Sequence, residues 1–404
     1  MDVSNGGTGE AGGAAWPCWV EVDLDAIRHN VAEIRGLLPQ SCQVMAVVKS
    51  QAYGHGAVAV AGAALEAGAT WLAVARVREG VELRKAGIGA PILLLGPVAP
   101  PEIPAMVEHE IRPVLVSFEQ AAAISRAAVV AGKRLPVHLK LETGMGRYGV
   151  PLADLLELLP RVAGLPGLEL EGLCSHFATA DEADESYARS QLAAFQEGRR
   201  RLEQAGFHAS VVHMAASAAA LGLGVSHLDM VRIGLSLYGL YPAPHLAGRT
   251  ALRPALSVHS WVARVFRLEP GQSAGYGRTF VASEPTTAAL VPMGYADGLP
   301  RCHSNRGCVL VQGQRAAIIG RVSMDQCVVD VSHCGPVREG DPVVVIGSQG
   351  DDTISCDEFA ERSGTISYEA LTSLGERMPR VYRSGGRVVG VAYLDEGRLE
   401  WCQR

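Results

Sequence analysis

The stretch VMAVVKSQAYGHGAVAVAGAALEAGATWLAVA, residues 44–75, carries the pattern on which the fold turns. An apolar run leads into Lys49, an Ala-rich amphipathic segment fills 57–67, and a second apolar run follows at 71–75. That order reads as strand, helix, strand, with a connection long enough for a parallel crossover. The same alternation continues to residue 233. Candidate strands lie at 44–49, 71–75, 92–95, 111–116, 136–141, 168–174, 210–214 and 229–233, with helical segments such as 57–67, 77–86, 117–131 and 186–205 between them. Eight strands alternating with helices predict an α/β fold built on a closed parallel (β/α)8 TIM barrel, with a doubly wound open sheet as the alternative.

Working outward, the spacing of Leu24, Ile27, Val31, Ile34 and Leu38 predicts a helix over 24–38 with Asp23 as its N-cap. Trp19–Val22 is left over before it and reads as a strand lent to another domain. Beyond Tyr241-Pro242-Ala243-Pro244 the texture changes. Runs at 256–268, 287–292, 308–311, 315–319, 327–331, 342–346 and 388–394 alternate or are Val-rich, with Gly and Pro between them, and predict a C-terminal β-rich domain. The expected organisation is a flexible tail at 1–18, the barrel at 19–245, with 19–22 as the lent strand, and the β domain at 246–404.

Composition narrows the function classes. A formal charge of -6 and 19% charged residues over 404 residues, with no basic stripe, argue against a nucleic-acid partner. No charge-free run is long enough to span a bilayer, and MDVSNGGTGEAGGAA has neither the basic start nor the apolar core of a signal peptide. Nine cysteines without a CxxC pair fit a reducing compartment, so the expected location is the cytoplasm. Cys302, His303 and Cys308 match no standard zinc spacing, and no metal is expected.

In a barrel of this kind, active groups gather at the C-terminal ends of the strands. The unusual polar residues fall there. Lys49 ends the first strand, where a dry amine can form a Schiff base with an aldehyde cofactor, and Tyr53, Gly54, His55 and Gly56 follow, the glycines allowing backbone to approach a ligand closely. LKLETGMGRYG (139–149) follows the fifth strand and SHFATADE (175–182) the sixth; His213 closes the seventh, and Arg232 with Gly234 closes the eighth.

These motifs, together with HLDMVRIGLSLYGLYP (227–242), GYGRTF (275–280), PMGYADGLPR (292–301), GRVSMDQ (320–326) and TISYE (365–369), make the chain resemble the alanine racemases from about Trp19 to its C-terminus. The resemblance implies a homodimeric isomerase that uses pyridoxal 5'-phosphate to interconvert L- and D-alanine, supplying D-alanine for peptidoglycan. It implies that Lys49 holds the cofactor covalently and acts as one base, while Tyr276 of a second subunit acts as the other. Arg232 would meet the pyridine nitrogen; as a guanidinium it donates a hydrogen bond without giving up its proton, which favours brief carbanion formation over decarboxylation. His176 would pack on the cofactor ring and His213 would hydrogen-bond Arg232. The phosphate would be held by Tyr53, Ser217, Gly234, Leu235 and Tyr368. Arg147 and the Met324 N–H would take the substrate carboxylate, Tyr295 would line the entry passage, and Lys140 stands where many relatives carry a carbamylated lysine. Ser50-Gln51 and Ala216 depart from the pattern, which usually has Ala then Asp or Asn at the first place and Asn at the second. A broader-specificity or serine racemase is the nearest alternative, followed by a barrel decarboxylase or a non-catalytic cofactor-binding protein.

Overall fold

The computed structural model describes residues 16–402; residues 1–15, most of the expected tail, lie outside the described residues. The chain divides into two compact units. One comprises Ala26–Ala52 and Ala57–Pro254, the other the N-terminal residues through Asp25, the short insert Tyr53–Gly56, and the chain from Ala255 onward.

The first unit is the barrel. After an initial strand β1 (Cys18–Asp23), which belongs to the other unit, come β2 (Gln43–Val47), β3 (Trp71–Val74), β4 (Ile92–Leu94), β5 (Ile111–Leu115), β6 (Leu135–Lys140), β7 (Leu168–Cys174), β8 (Val211–His213) and β9 (Met230–Ile233). These eight form one parallel sheet in the order β8-β7-β6-β5-β4-β3-β2-β9. The gap between β8 and β9 is bridged where Asp229 N–H donates to the Val212 carbonyl (3.1 Å) and Arg232 N–H to that of Ala215 (3.0 Å). Strands covered on both faces should be apolar throughout, and β3, β4 and β9 are buried at every residue. The outer helices show one buried face, as in Leu152–Ala163, where Leu155, Leu158, Leu159 and Val162 point inward.

One expectation fails at the critical lysine. The first barrel strand stops at Val47, so Lys49 does not end it but starts a single turn, Lys49–Tyr53. Ser50, Gln51, Ala52 and Tyr53 have φ of 53°, 52°, 51° and 53°, four consecutive side-chain-bearing residues in the left-handed region. Such a conformation costs roughly 1–2 kcal/mol per residue and persists only when its surroundings impose it. Here Ala52 N–H closes the turn onto the Val48 carbonyl at 2.9 Å, and Glu79 accepts the Ser50 N–H at 2.7 Å. Gln51 donates to both Glu82 carboxylate oxygens (3.0 and 2.9 Å) while its own oxygen accepts the Ala57 N–H at 3.0 Å. Of the two departures, the Gln51 side chain therefore ties this turn to the next helices, whereas Ser50 takes part through its backbone.

The second unit is a mostly antiparallel β structure with a twelve-stranded sheet. Within it β1 lies between β10 (Leu256–Trp261), antiparallel, and the strand Arg380–Ser384, parallel. The expected run 256–268 is broken at Val262–Ala263 into β10 and a separate strand, Arg264–Leu268. Two short helices, Cys356–Ser363 and Ser367–Thr372, interrupt the β pattern. Ser355 caps the first by accepting the Glu358 N–H, and Gly364, at φ 73°, ends it in the left-handed conformation.

The insert Tyr53–Gly56 is clamped by this unit. Arg380, fully buried, donates from Nε to the Gly54 carbonyl (2.9 Å) and from its terminal nitrogens to the carbonyls of Gly375, Met378 and Leu374. Gly54 and Gly56 were expected to admit a ligand; instead protein fills the space. A Cβ at Gly54 would stand 2.4 Å from the Leu371 carbonyl oxygen, and one at Gly56 1.9 Å from the Tyr382 hydroxyl.

Candidate active site

Arg232 organises the C-terminal end of the barrel. It is 4% exposed, and its guanidinium is bonded through NH1 to His213 Nδ1 (2.6 Å) and through NH2 to the carbonyls of Ser175 (2.9 Å) and Met214 (2.8 Å) and to His176 Nδ1 (2.9 Å). Arginine can only donate, so both Nδ1 atoms accept and both neutral imidazoles carry their proton on Nε2. Burial, then the charges of Arg232, Lys140, Arg147 and Lys49, push the His176 imidazolium well below its usual range. That response places four cations within electrostatic reach of one ring.

The lysines in this set are altered by the same surroundings. Burial and then Arg147 lower the affinity of Lys49 for its proton, against the opposing pull of Glu79. Burial, Arg232 and Arg147 do the same to Lys140, whose ammonium lies 5.4 Å from the centre of the Tyr148 ring. Arg147 itself is exposed, on a loop folded by Glu142, whose carboxylate accepts the N–H groups of Gly144 and Met145, each at 2.6 Å. At the β8–β9 end, Ser217 Oγ accepts the N–H of Gly234 (3.0 Å) and of Ser236 (3.3 Å), and Leu235 lies between these two donors. Ala216, beside Ser217, occupies the N-cap of the helix Ser217–Gly222 and offers no side-chain cap.

In the other unit, Tyr53 and Tyr368 come together with ring centres 6.1 Å apart, and burial pushes the Tyr53 phenol upward. Three further expected residues share one cluster of loops. Tyr276 lies between Gly275 and Gly277, both at φ 71°, and a Cβ on either glycine would press on Arg321 at 3.0 Å. The Arg321 loop continues to Met324, where Tyr295 N–H donates to the Ser323 carbonyl (3.1 Å) and Ala296 N–H to that of Met324 (2.9 Å). Arg377 ties the same two loops by pairing with Asp297 (2.7 Å) and Asp325 (2.8 Å). On this scaffold Tyr276 is 72% exposed, Met324 53% and Tyr295 44%.

Sequence reasoning passed over Glu79, which holds the turn after Lys49, and the buried His138 with the half-buried Glu171, which continue the contacts of His213 into the barrel. A histidine inside the apolar strand LPVHLK was the available signal. Elsewhere, His303 Nε2 is bonded to Ser363 Oγ at 2.8 Å, and among the described residues no group of three His, Cys, Asp or Glu side chains is placed to hold a metal. No helix among them is long and apolar enough to cross a membrane.

A parallel eight-stranded barrel carrying a lysine of lowered proton affinity and a buried arginine at its strand ends, followed by a β domain, defines a class of two-domain barrel enzymes that act on a small molecule at the barrel mouth. The family models place it more narrowly: residues 22–242 match the alanine racemase N-terminal domain and 255–382 the alanine racemase C-terminal domain. The chain is 45% identical over 368 residues to the alanine racemase of Desulforamulus reducens, covering 91% of this chain and 99% of that protein. It is 45% identical over 364 residues to that of Synechocystis, with 90% and 98% covered. Among solved structures, the alanine racemase of Bacillus anthracis with bound L-Ala-P superposes with a TM-score of 0.90 at 41% identity, covering 94% of this chain and 98% of that one. The chain belongs to the alanine racemase family.

Proposed function

We propose that this chain interconverts L- and D-alanine with pyridoxal 5'-phosphate as cofactor, as a cytoplasmic homodimer whose two active sites each draw on both subunits, and that its D-alanine serves peptidoglycan. The observation that carries this reading is the group of Lys49, Lys140, Arg147 and Arg232 around a neutral His176. Such a set suits an anionic cofactor joined to a substrate carboxylate, and a lysine with lowered proton affinity suits attack on an aldehyde. Ser217 and the backbone of Gly234 and Leu235, with Tyr53 and Tyr368, are the groups assigned to the phosphate. When bound, pyridoxal phosphate supplies the carbonyl that Lys49 engages and the conjugated ring that acidifies the substrate α-hydrogen.

The remaining work falls to side chains. Lys49, once released as an amine, takes or returns the α-proton on one face; the Tyr276 phenol of a second copy does the converse on the other. One group accepts a proton as the other donates, and the reverse reaction exchanges their roles. Arg147 and the Met324 N–H hold the substrate carboxylate, and Tyr295 narrows the approach. Arg232, held through NH1 to His213 and through NH2 to the Ser175 and Met214 carbonyls, is the donor that the family resemblance assigns to the pyridine nitrogen. A guanidinium there stays protonated, which limits electron withdrawal by the ring and weighs against decarboxylation. The exposure of Tyr276 and Met324 supports the shared site, because a second copy is what would bury them. The nine cysteines, all unpaired thiols, support a reducing compartment.

The test is the visible absorbance of the purified protein and its production of D-alanine, before and after Lys49→Ala. The proposal expects the covalent chromophore and the activity to vanish together. A variant that keeps the covalent band refutes the role of Lys49.

A further inference from the structure

The contacts of Arg232 do not stop at His213. His213 Nε2 lies 2.9 Å from His138 Nδ1, and His138 Nε2 lies 3.1 Å from Glu171 Oε2. The other carboxylate oxygen of Glu171 takes Arg112 NH1 at 2.6 Å, and the Arg112 guanidinium sits 4.5 Å over the Trp71 ring. Both histidines are completely buried. The chain therefore descends the inside of the barrel, from Arg232 at the mouth to Arg112 near the start of β5.

Proton positions along it follow from its two ends. Arg232 only donates, so His213 Nδ1 accepts and His213 donates from Nε2; His138 Nδ1 must then accept, and His138 donates from Nε2 to a carboxylate that only accepts. Every bond runs in one direction. Reversing the order would set His213 Nδ1–H against an Arg232 N–H. Burial, more than any neighbouring charge, disfavours protonation of both rings, consistent with two neutral imidazoles. Burial alone would raise the Glu171 carboxyl, but the His138 bond and the Arg112 charge outweigh it and hold the group ionised.

The barrel is built to admit this chain. The β6–β7 register shifts between Val137 and His138, so that Glu171 is the extra residue of a bulge, between Leu170 opposite Val137 and Gly172 opposite His138. A Cβ on Gly172 would lie 2.5–2.6 Å from three atoms of the His138 ring. No side chain larger than hydrogen fits beneath that imidazole. A bulge that turns a carboxylate inward and a glycine that makes room for its partner serve the same contact.

We propose that Glu171 is a positioning residue for the racemisation: acting through His138 and His213, it fixes the donor orientation of the Arg232 guanidinium toward the cofactor ring. This rests on the reading above that Arg232 meets the pyridine nitrogen. Glu171 touches neither substrate nor cofactor. Its carboxylate polarises two imidazoles in series, strengthening His213 Nδ1 as the acceptor for Arg232.

The experiment compares full-length wild type, Glu171→Gln and His138→Asn, labelled with 15N at histidine and measured with and without pyridoxal phosphate. In Glu171→Gln, Arg112 claims the amide oxygen and turns the NH2 toward His138 Nε2, a donor where the chain needs an acceptor. The His213 ring nitrogens then shift although Glu171 does not touch them, and kcat for alanine falls about 10-fold while KM stays within about twofold. His138→Asn, which cuts the chain nearer Arg232, gives the same two changes and serves if the first variant folds poorly. An unchanged His213 spectrum, or an unchanged kcat, in the folded variants overturns the proposal. Failure of the wild-type protein to racemise alanine would instead overturn the functional reading, leaving the His213 shifts to report on the chain by themselves.

Discussion

The barrel end and the loops of the β unit treat the side chains assigned to the site in opposite ways. Around Arg232 the polar groups are buried and bonded: its guanidinium has four acceptors, and the His213–His138–Glu171 chain behind it leaves little freedom of orientation. Around Tyr276 the backbone is equally well braced, by glycines against Arg321 and by Arg377 between Asp297 and Asp325, yet Tyr276, Met324 and Tyr295 are exposed. Rigid loops that hold an aromatic ring and a methionine in the open are organised for something outside the unit that carries them. The barrel end is preorganised from within; the β loops are braced but leave Tyr276 and Met324 exposed, as the proposed shared site requires.

The largest effect that sharpens this contrast is at Tyr276. Tyr276→Phe removes one of the two proposed proton-transfer groups and is expected to lower kcat by about 10²–10⁴-fold while the cofactor absorbance, assigned to the barrel end, is retained. Rate measurements from both L- and D-alanine with matched spectra check it. Loss of the absorbance along with activity would show that the two regions are not separable.

A smaller effect probes the cations of the barrel end. Lys140 is depressed, chiefly by burial, so at low pH the folded protein carries a charge it would rather shed. Below the lowered folded value both folded and unfolded Lys140 are charged and the full penalty applies; it fades as pH rises toward the unfolded value near 10.4. The stability gained by Lys140→Met over wild type should therefore shrink with rising pH through that window, as read from urea midpoints. A difference independent of pH would contradict the depression.

The smallest effect is at Ala216. Its backbone, φ -99° and ψ -172°, is that of an N-cap without a capping side chain. Ala216→Asn should stabilise the fold by about 0.5–2 kcal/mol in urea unfolding, with a modest change in cofactor affinity. No gain in stability and no change in affinity would mean that the departure at this position carries no consequence.

Much of this contrast was readable before any coordinates. Strand-end placement put His213 and Arg232 where they lie and Lys49 two residues past the end of its strand, because a buried parallel strand is an apolar run and a polar residue near its end stands out. The left-handed turn was not readable: Ser50, Gln51, Ala52 and Tyr53 contain no glycine, and the conformation is imposed by Glu79 and Glu82 from elsewhere in the chain. Glu171 was hidden by its bulge, since one extra residue in β7 turns LELEG out of simple alternation. Arg380, fully buried, reads as a surface charge within RVYRS, and so the strand that carries it passed unnoticed. Tyr276 could be found by resemblance alone, because a half-turn between two glycines has no period to detect.

The claim that each site is completed by a second copy is tested most directly by mixing two inactive variants. Lys49→Ala and Tyr276→Phe chains are unfolded together, refolded, and assayed for racemisation beside each variant alone. If Lys49 and Tyr276 of one site come from different subunits, a mixed dimer contains one site with both groups intact, and random pairing restores about a quarter of wild-type activity. Mixed dimers that form, as shown by mass, but stay as inactive as their parents would contradict the shared site.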